Sequence, residues 1–210
     1  MMPAMLHDNT VSTIGHSTHT IERFVDLLRQ QKVAAIADVR SVPYSRMQPQ
    51  FNRETLTRTL DKCGIAYIFL GKELGARSDD KTCYENGRVQ YRRLARTEAF
   101  HGGIERVLLE SESRRIALMC AEREPLECHR TLLVSRELMA AGAPVVHIHA
   151  DGHVERHDDS MRRLLRLLGL PEQDLFRTQS DLIEEGYTRQ ELRVAYVDER
   201  LVREAGEAKA

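Results

Sequence analysis

Short apolar runs recur along the chain at residues 11–14, 33–39, 66–70, 116–120 and 145–149. They are apolar on both faces rather than alternating, which is the pattern of strands covered on each side by helices in a parallel sheet. Segments of helical period lie between them. Ile21, Phe24, Val25 and Leu28 follow Thr20, a good N-cap, and Leu56, Leu60 and Cys63 follow Asn52, with Gly64 placed to end that helix. Phe100, Ile104, Val107 and Leu108 form a stripe after Thr97, although Gly102 and Gly103 weaken its first turns. A fourth helix is expected over 128–141, closed by Gly142 and Pro144. Strands alternating with helices through short turns predict a Rossmann-like three-layer α/β fold, with a mainly parallel sheet of about five strands joined by right-handed crossovers.

Past the turn expected at Asp151-Gly152, residues 158–160 are placed to cap a helix carrying Met161, Leu164, Leu165 and Leu168, ended by Gly169 and Pro171. That gives an α/β domain over 11–170. Residues 171–210 read as a charged C-terminal helical extension, partly docked through Leu182, Ile183, Leu192, Val194, Tyr196 and Val197 and frayed near Arg203. The stretch 71–96 has no clear period and is expected to be a long functional or mobile loop.

Composition narrows the classes. Among 210 residues, 31 Lys plus Arg against 32 Asp plus Glu leave a net charge of −1, so no global attraction to nucleic acid or anionic lipid is expected. The absence of Trp weakens any role based on stacking nucleic-acid bases. Cys63, Cys83, Cys120 and Cys128 are irregularly spaced, which favours free thiols and a reducing compartment. No basic and apolar leader is read in the first ten residues, and no apolar run approaches the roughly 20 residues of a membrane span. The expectation is a cytoplasmic protein without a membrane partner.

In a parallel sheet, ligands bind beyond the carboxyl ends of the strands, and the reactive side chains of this sequence fall there. Gly15-His16-Ser17 follows the first strand, Asp38-Val39-Arg40 and Arg46 the second, and His147 and His149 the fifth. The fourth leads into Cys120-Ala-Glu122-Arg-Glu-Pro-Leu-Glu-Cys128-His129-Arg130. Cys128, at the expected first turn of a helix, is placed to be a thiolate, with Glu122 as acid or base. His129 is its neighbour, but adjacent helical side chains diverge by about 100°, so His16 or His147 fits better as a direct partner. The expected catalytic set is Cys128, Glu122, His16 and His129. The expected substrate-binding set is Ser17, Asp38, Arg40, Arg46, Cys120 and Arg130, with the three arginines clamping an anion.

No metal ligand and no cofactor is assigned from spacing. Cys120, Cys128, His129 and His16 or His147 offer a tetrahedral N/S set in principle, but C-x-x-C and H-E-x-x-H are missing, and the zinc deaminase signature breaks after Pro125. The P-loop and the G-x-G-x-x-G fingerprint are missing too, which removes the usual nucleotide-hydrolase and dinucleotide readings.

At these residues the chain resembles the prokaryotic family called domain of unknown function 488, over roughly 12–196. The resemblance rests on T-I-G-H-S (13–17), D-V-R-S-V-P-Y-S-R (38–46) with Phe51, G-I-A-Y-I-F-L-G (64–71), C-A-E…C-H-R (120–130), V-V-H-I-H-A-D-G (145–152) and D-L-F (174–176). Lys72 stands where the family often has a second glycine. The resemblance implies a Rossmann-like domain with its polar blocks on one face, and it implies no reaction. The functional expectation is a hydrolase or transferase using a cysteine thiolate and a glutamate on a small anionic, nucleotide-like or phosphate- or carboxylate-bearing substrate. The alternatives are a non-catalytic ligand- or metal-binding module, and a nucleic-acid-processing factor using the arginines of 88–96.

Overall fold

The computed structural model describes residues 9–207. Its central sheet has six strands in the order β3-β2-β6-β1-β7-β8. In chain order these are β1 (Val11–Gly15), β2 (Ala35–Asp38), β3 (Ala66–Phe69), β6 (Ile116–Cys120), β7 (Val145–Ile148) and β8 (Val154–Arg156); β4 (Tyr84–Glu85) and β5 (Arg88–Val89) form a separate hairpin. All neighbouring pairs in the large sheet are parallel except β7–β8. The sheet is therefore mainly parallel, as the doubly apolar runs predict. The extra strand β8 has only three residues, too few for a periodic signature.

Helices cover both faces. On one, α1 (Ile21–Gln30) and α2 (Arg53–Lys62) bury Phe24, Leu27, Leu28, Leu56 and Leu60 against Ile14, Ile36, Ala117 and Met119. On the other, α4 (Glu98–Ser113), α5 (Arg136–Ala140) and α6 (His157–Leu167) pack Phe100, Val107, Leu138 and Leu164 against Ala35, Ala37, Ile116 and Leu118. The side chains of β6 thus divide by period two, Ile116, Leu118 and Cys120 to one layer and Ala117 and Met119 to the other. Each fully buried Leu or Phe contributes about 1.5–3 kcal/mol, so both layers are firmly held. Local signals agree: the Thr20 and Thr97 side chains accept from Arg23 and Phe100 amides, and Gly64, at φ +71°, follows the C-cap of α2.

Three expectations are corrected. Helix α6 starts at His157 rather than being capped by 158–160. The stretch 71–96 is built into structure, with a 3-10 turn at Lys81–Cys83, the β4–β5 hairpin and α3 (Tyr91–Leu94). Asn86 and Gly87, both at positive φ (47° and 76°), make the hairpin turn, for which Asn-Gly is the strongest short signal. The C-terminal part forms α7 (Gln179–Val194), begun by a Thr178–Asp181 capping box, and α8 (Glu199–Glu207), which is helical through Arg203. Of the expected anchors there, Leu182 is buried, but Leu192 and Val197 are exposed; Tyr187 and Gln190 are buried in α7 instead.

Candidate functional site

Strands β1 and β6 are neighbours, paired from Ser12–Ala117 to Gly15–Cys120. The helix after β1 covers one face of the sheet, whereas the helical segment after β6 covers the other. Connections that leave adjacent strands in opposite directions open a crevice at their carboxyl ends, the switch point where open α/β sheets bind ligands. A cavity of about 430 Å³ lies there, lined among others by His16, Arg40, Cys120, Glu122, Cys128 and His129. The two loops stay bonded past the strands, with the His16 amide donating to Cys120 O at 2.9 Å and the Ser17 amide to Ala121 O at 2.9 Å. Gly15 is required at this approach, since a Cβ there would lie 1.9 Å from the Glu122 carbonyl oxygen.

The loop after β6 shapes the reactive end. Pro125 begins a 3-10 turn, Pro125–Glu127, whose Leu126 amide is capped by the Glu124 carboxylate at 3.1 Å. Arg163 of α6 holds that carboxylate at 2.8 Å and also binds Glu155 of β8. Cys128 then adopts an extended conformation (φ −136°, ψ 140°), and His129 turns into helix. A π-helical stretch, Arg130–Ser135, runs directly into α5, and the Ser135 hydroxyl donates to the Arg130 carbonyl at 2.7 Å. Such wide turns are frequent at functional sites.

Because Cys128 is extended and not helical, the expected divergence of residues 128 and 129 does not occur. His129 Nδ1 lies 3.8 Å from Cys128 Sγ and 3.7 Å from Cys120 Sγ. Its Nε2 is 3.0 Å from the Val39 carbonyl oxygen, which can only accept, so Nε2 carries hydrogen and Nδ1 faces the sulfurs. The Cys128 sulfur also receives the Arg130 amide at 3.4 Å and lies 3.0 Å from Glu122 Oε2. Cys120, Cys128 and His129, three members of the N/S set offered in principle by the sequence, present conventional metal-ligand atoms within 4.8 Å of one another, and neither His16 nor His147 joins them.

The electrostatics separate the two thiols. Burial opposes ionisation of Cys128, but the hydrogen bond from Cys120, the Arg130 guanidinium and His129 hold its thiol well below the ordinary value. Cys120 is pushed well above it, by burial first and then by Cys128. Hydrogen bonding to Cys128 raises His129 against the effect of burial. Glu122 is exposed along its loop, but its carboxyl end reaches the cavity and is raised by burial and by Cys128. The arrangement is a thiol held well below its ordinary value beside an imidazole raised above its own, with a second thiol and a carboxyl both pushed up next to them.

The expected arginine clamp does not assemble. Arg40 lines the cavity, but Asp38 engages its Nε at 2.9 Å and its Nη2 at 2.6 Å; Nη2 also donates to Phe51 O at 2.8 Å. Asp38 is fully buried beneath it and accepts a further bond from the Tyr67 hydroxyl at 2.7 Å. Arg46 is exposed and outside the cavity lining. Arg130 is fully buried, donating to the Glu122 carbonyl at 2.8 Å and to the Arg123 carbonyl at 3.4 Å, so it faces Cys128 from behind rather than a ligand. Ser17 stays outside the lining, at φ 46°, its carbonyl accepting from His16 Nδ1 at 3.0 Å.

His16 is stacked on Phe51 at 4.3 Å, and its Nε2 accepts from Arg40 Nη1 at 3.2 Å. Burial and Arg40 lower it to about 4, so it is a neutral ring with both nitrogens engaged. His147 is not the thiol's partner: it lies in a buried chain from Thr13 Oγ1 (2.8 Å) to His157 Nδ1 (3.0 Å), and His157 continues to the Tyr187 hydroxyl (2.7 Å). His149 bonds Glu155.

Sequence reasoning missed the opposite wall. Tyr91 of α3, Arg77, and Val194 and Tyr196 at the end of α7 line the cavity, with the Arg77 guanidinium 4.5 Å over the Tyr196 ring. The available signal was the Asn86-Gly87 turn, which marks 71–96 as folded. The basic residues nearby are engaged: Arg88 donates to the Leu192 carbonyl, Arg92 pairs with Glu184 and Arg93 with Glu85.

Among the described residues no helix is long and apolar enough to cross a membrane. A family model described as domain of unknown function DUF488 matches residues 20–136, more than half of the chain but narrower than the 12–196 expected from the motifs. No curated protein matches, and no solved structure matches.

Proposed function

This chain belongs to the family domain of unknown function DUF488, and we propose that it is a cysteine-dependent enzyme performing hydrolysis or group transfer on a small substrate in the switch-point cavity. The observation that carries the reading is the setting of Cys128. Its sulfur lines the cavity, receives a backbone N–H from the start of a helical segment, and lies beside His129 and a carboxyl that can give a proton.

In this reading the Cys128 thiolate attacks the electrophilic centre of the substrate, forming an S–substrate bond while the leaving group departs with the Glu122 proton. Glu122, now a carboxylate, takes a proton from the attacking water or second acceptor. The S–substrate bond then breaks and returns the thiolate, so that no net proton or electron is consumed. His129 holds the thiolate's charge, and Val39 orients the ring. Arg77, exposed on the far wall and backed by Tyr196, is the cation that meets an anionic substrate, since Arg40 is committed to Asp38. The four free cysteines fit work in a reducing compartment.

The test is alkylation of the metal-free protein with iodoacetamide across pH, read site by site by mass spectrometry. Cys128 is expected to label well below the ordinary thiol pKa of about 8.5, with Cys120 labelling only at higher pH. Labelling of Cys128 confined to pH values above that point removes the nucleophile from this reading.

A further inference from the structure

We infer that Cys120, Cys128 and His129 form a binding site for a thiophilic divalent cation of the Zn²⁺ type, whose fourth position is left to water or a ligand from the cavity. This goes beyond the proposed reaction, and the two states exclude each other, because a sulfur bonded to metal is not free to attack.

The donor spacing suits a tetrahedral centre. With metal–sulfur bonds near 2.3 Å and metal–nitrogen bonds near 2.0–2.1 Å, sulfur and nitrogen ligands stand about 3.6 Å apart. The observed separations from His129 Nδ1 are 3.7 Å to Cys120 Sγ and 3.8 Å to Cys128 Sγ. All three donor atoms fit within 4.8 Å. Glu122 Oε2 lies 3.0 Å from Cys128 Sγ, on the cavity side. The carboxylate therefore stands beside Cys128 at the edge of the three-donor set and is not one of the converging donors.

The surroundings match as well. Metal-bound histidines give their second ring N–H to a carbonyl or carboxylate, which fixes the coordinating nitrogen, and His129 does this through Val39 O at 3.0 Å. The Arg130 amide supplies an N–H to the Cys128 sulfur at 3.4 Å. Charge supplies the third argument. The Arg130 guanidinium is fully buried, its Nε has no hydrogen-bond partner, and among the described residues no carboxylate forms an ion pair with it. A divalent ion, two thiolates, one imidazole and the neighbouring Glu122 carboxylate together carry a net charge of −1, which offsets Arg130. Binding displaces protons from the thiol and carboxyl groups that still hold them.

The experiment is titration of the full chain, purified metal-free under reducing conditions, with Co²⁺ and then Zn²⁺. One Co²⁺ per chain is expected, with tetrahedral d–d bands and a thiolate-to-cobalt charge-transfer band, both erased by stoichiometric Zn²⁺. Cys120→Ser and Cys128→Ser should each lose stoichiometric uptake, while Cys63→Ser and Cys83→Ser retain it. Absence of the charge-transfer band in the unaltered protein, or its persistence in both Cys120→Ser and Cys128→Ser, overturns the inference. A second readout needs no variant. Stoichiometric Zn²⁺ should protect Cys120 and Cys128 from iodoacetamide in the unaltered chain, and unchanged labelling overturns the site. The two readings fail separately: a reactive Cys128 without Co²⁺ uptake sinks only the metal, whereas Co²⁺ uptake with a sluggish metal-free thiol sinks only the nucleophile.

Discussion

His129 Nε2 lies 3.0 Å from the carbonyl oxygen of Val39, one residue past the end of β2, so a strand-end backbone group orients the ring that faces both thiols. The relationship crosses from β2 to the segment after β6 and does not depend on a side chain at Val39. His129→Gln keeps a polar group but removes the chargeable Nδ1. The alkylation midpoint of Cys128 should rise by at least about one pH unit, and an unchanged midpoint would mean that His129 does not stabilise the thiolate.

Asp38 and Arg40 form a buried ion pair at 2.6 Å. Removing one partner strands the other charge, a loss of about 3–5 kcal/mol. Asp38→Ala should lower stability by that order in urea denaturation, and Arg40→Met in the same background should recover part of it. A cost below about 1 kcal/mol for Asp38→Ala would show that water or Tyr67 replaces the carboxylate.

Three buried histidines make stability depend on pH. His16 and His157 are lowered from 6.5 to about 4, both by burial first, and His147 is lowered well below 6.5 by burial and by His157. Between those values the unfolded chain binds protons that the folded protein does not. Their stabilising contribution is complete above pH 6.5 and falls away as the pH drops towards 4, by up to about 3 kcal/mol for each of His16 and His157. Urea midpoints measured from pH 7.5 to 4.5 should trace this limb, and His16→Asn should flatten it. An equally steep limb in that variant would assign the effect to other groups.

Gly15→Ala places a methyl group 1.9 Å from the Glu122 carbonyl oxygen. The loop must retreat, at a cost of about 1–3 kcal/mol, and it carries Glu122 away from Cys128. Lower stability together with slower Cys128 labelling is expected. Lower stability with unaltered labelling would separate this contact from the thiol's environment.

The sheet was legible because its parallel strands are apolar on both faces, and the helix starts because Thr20 and Thr97 are caps of ordinary kind. Strand β8 and the short elements of 71–96 were not, since two or three residues carry no period, although Asn86-Gly87 announced one turn. At the site, strand-end logic brought His16, Arg40, Cys120, Glu122, Cys128 and His129 to one cavity. It failed for Arg46, which faces outward, and for Arg130, whose chemistry suits an anion but whose side chain is sealed behind the wall. The His129 geometry was hidden for a local reason: Cys128 is extended, a backbone choice set by the Pro125 turn and not by helical spacing.

Helix α7 reaches back to the side of the sheet where the cavity lies. Gln190 donates to the Leu126 carbonyl at 2.8 Å, just before Cys128, and Glu191 accepts from the Tyr91 amide at 2.7 Å. At its end Val194, and just past it Tyr196, form part of the cavity wall. The thiols, the imidazole and the carboxyl all come from the segment that matches the family, whereas Val194 and Tyr196 come from well beyond its end. The rim of the cavity is therefore assembled from two distant stretches, Arg77 and Tyr91 inside the matched segment and Val194 and Tyr196 far beyond it, so an exchange at the end of α7 alters the rim without touching Cys120, Glu122, Cys128 or His129.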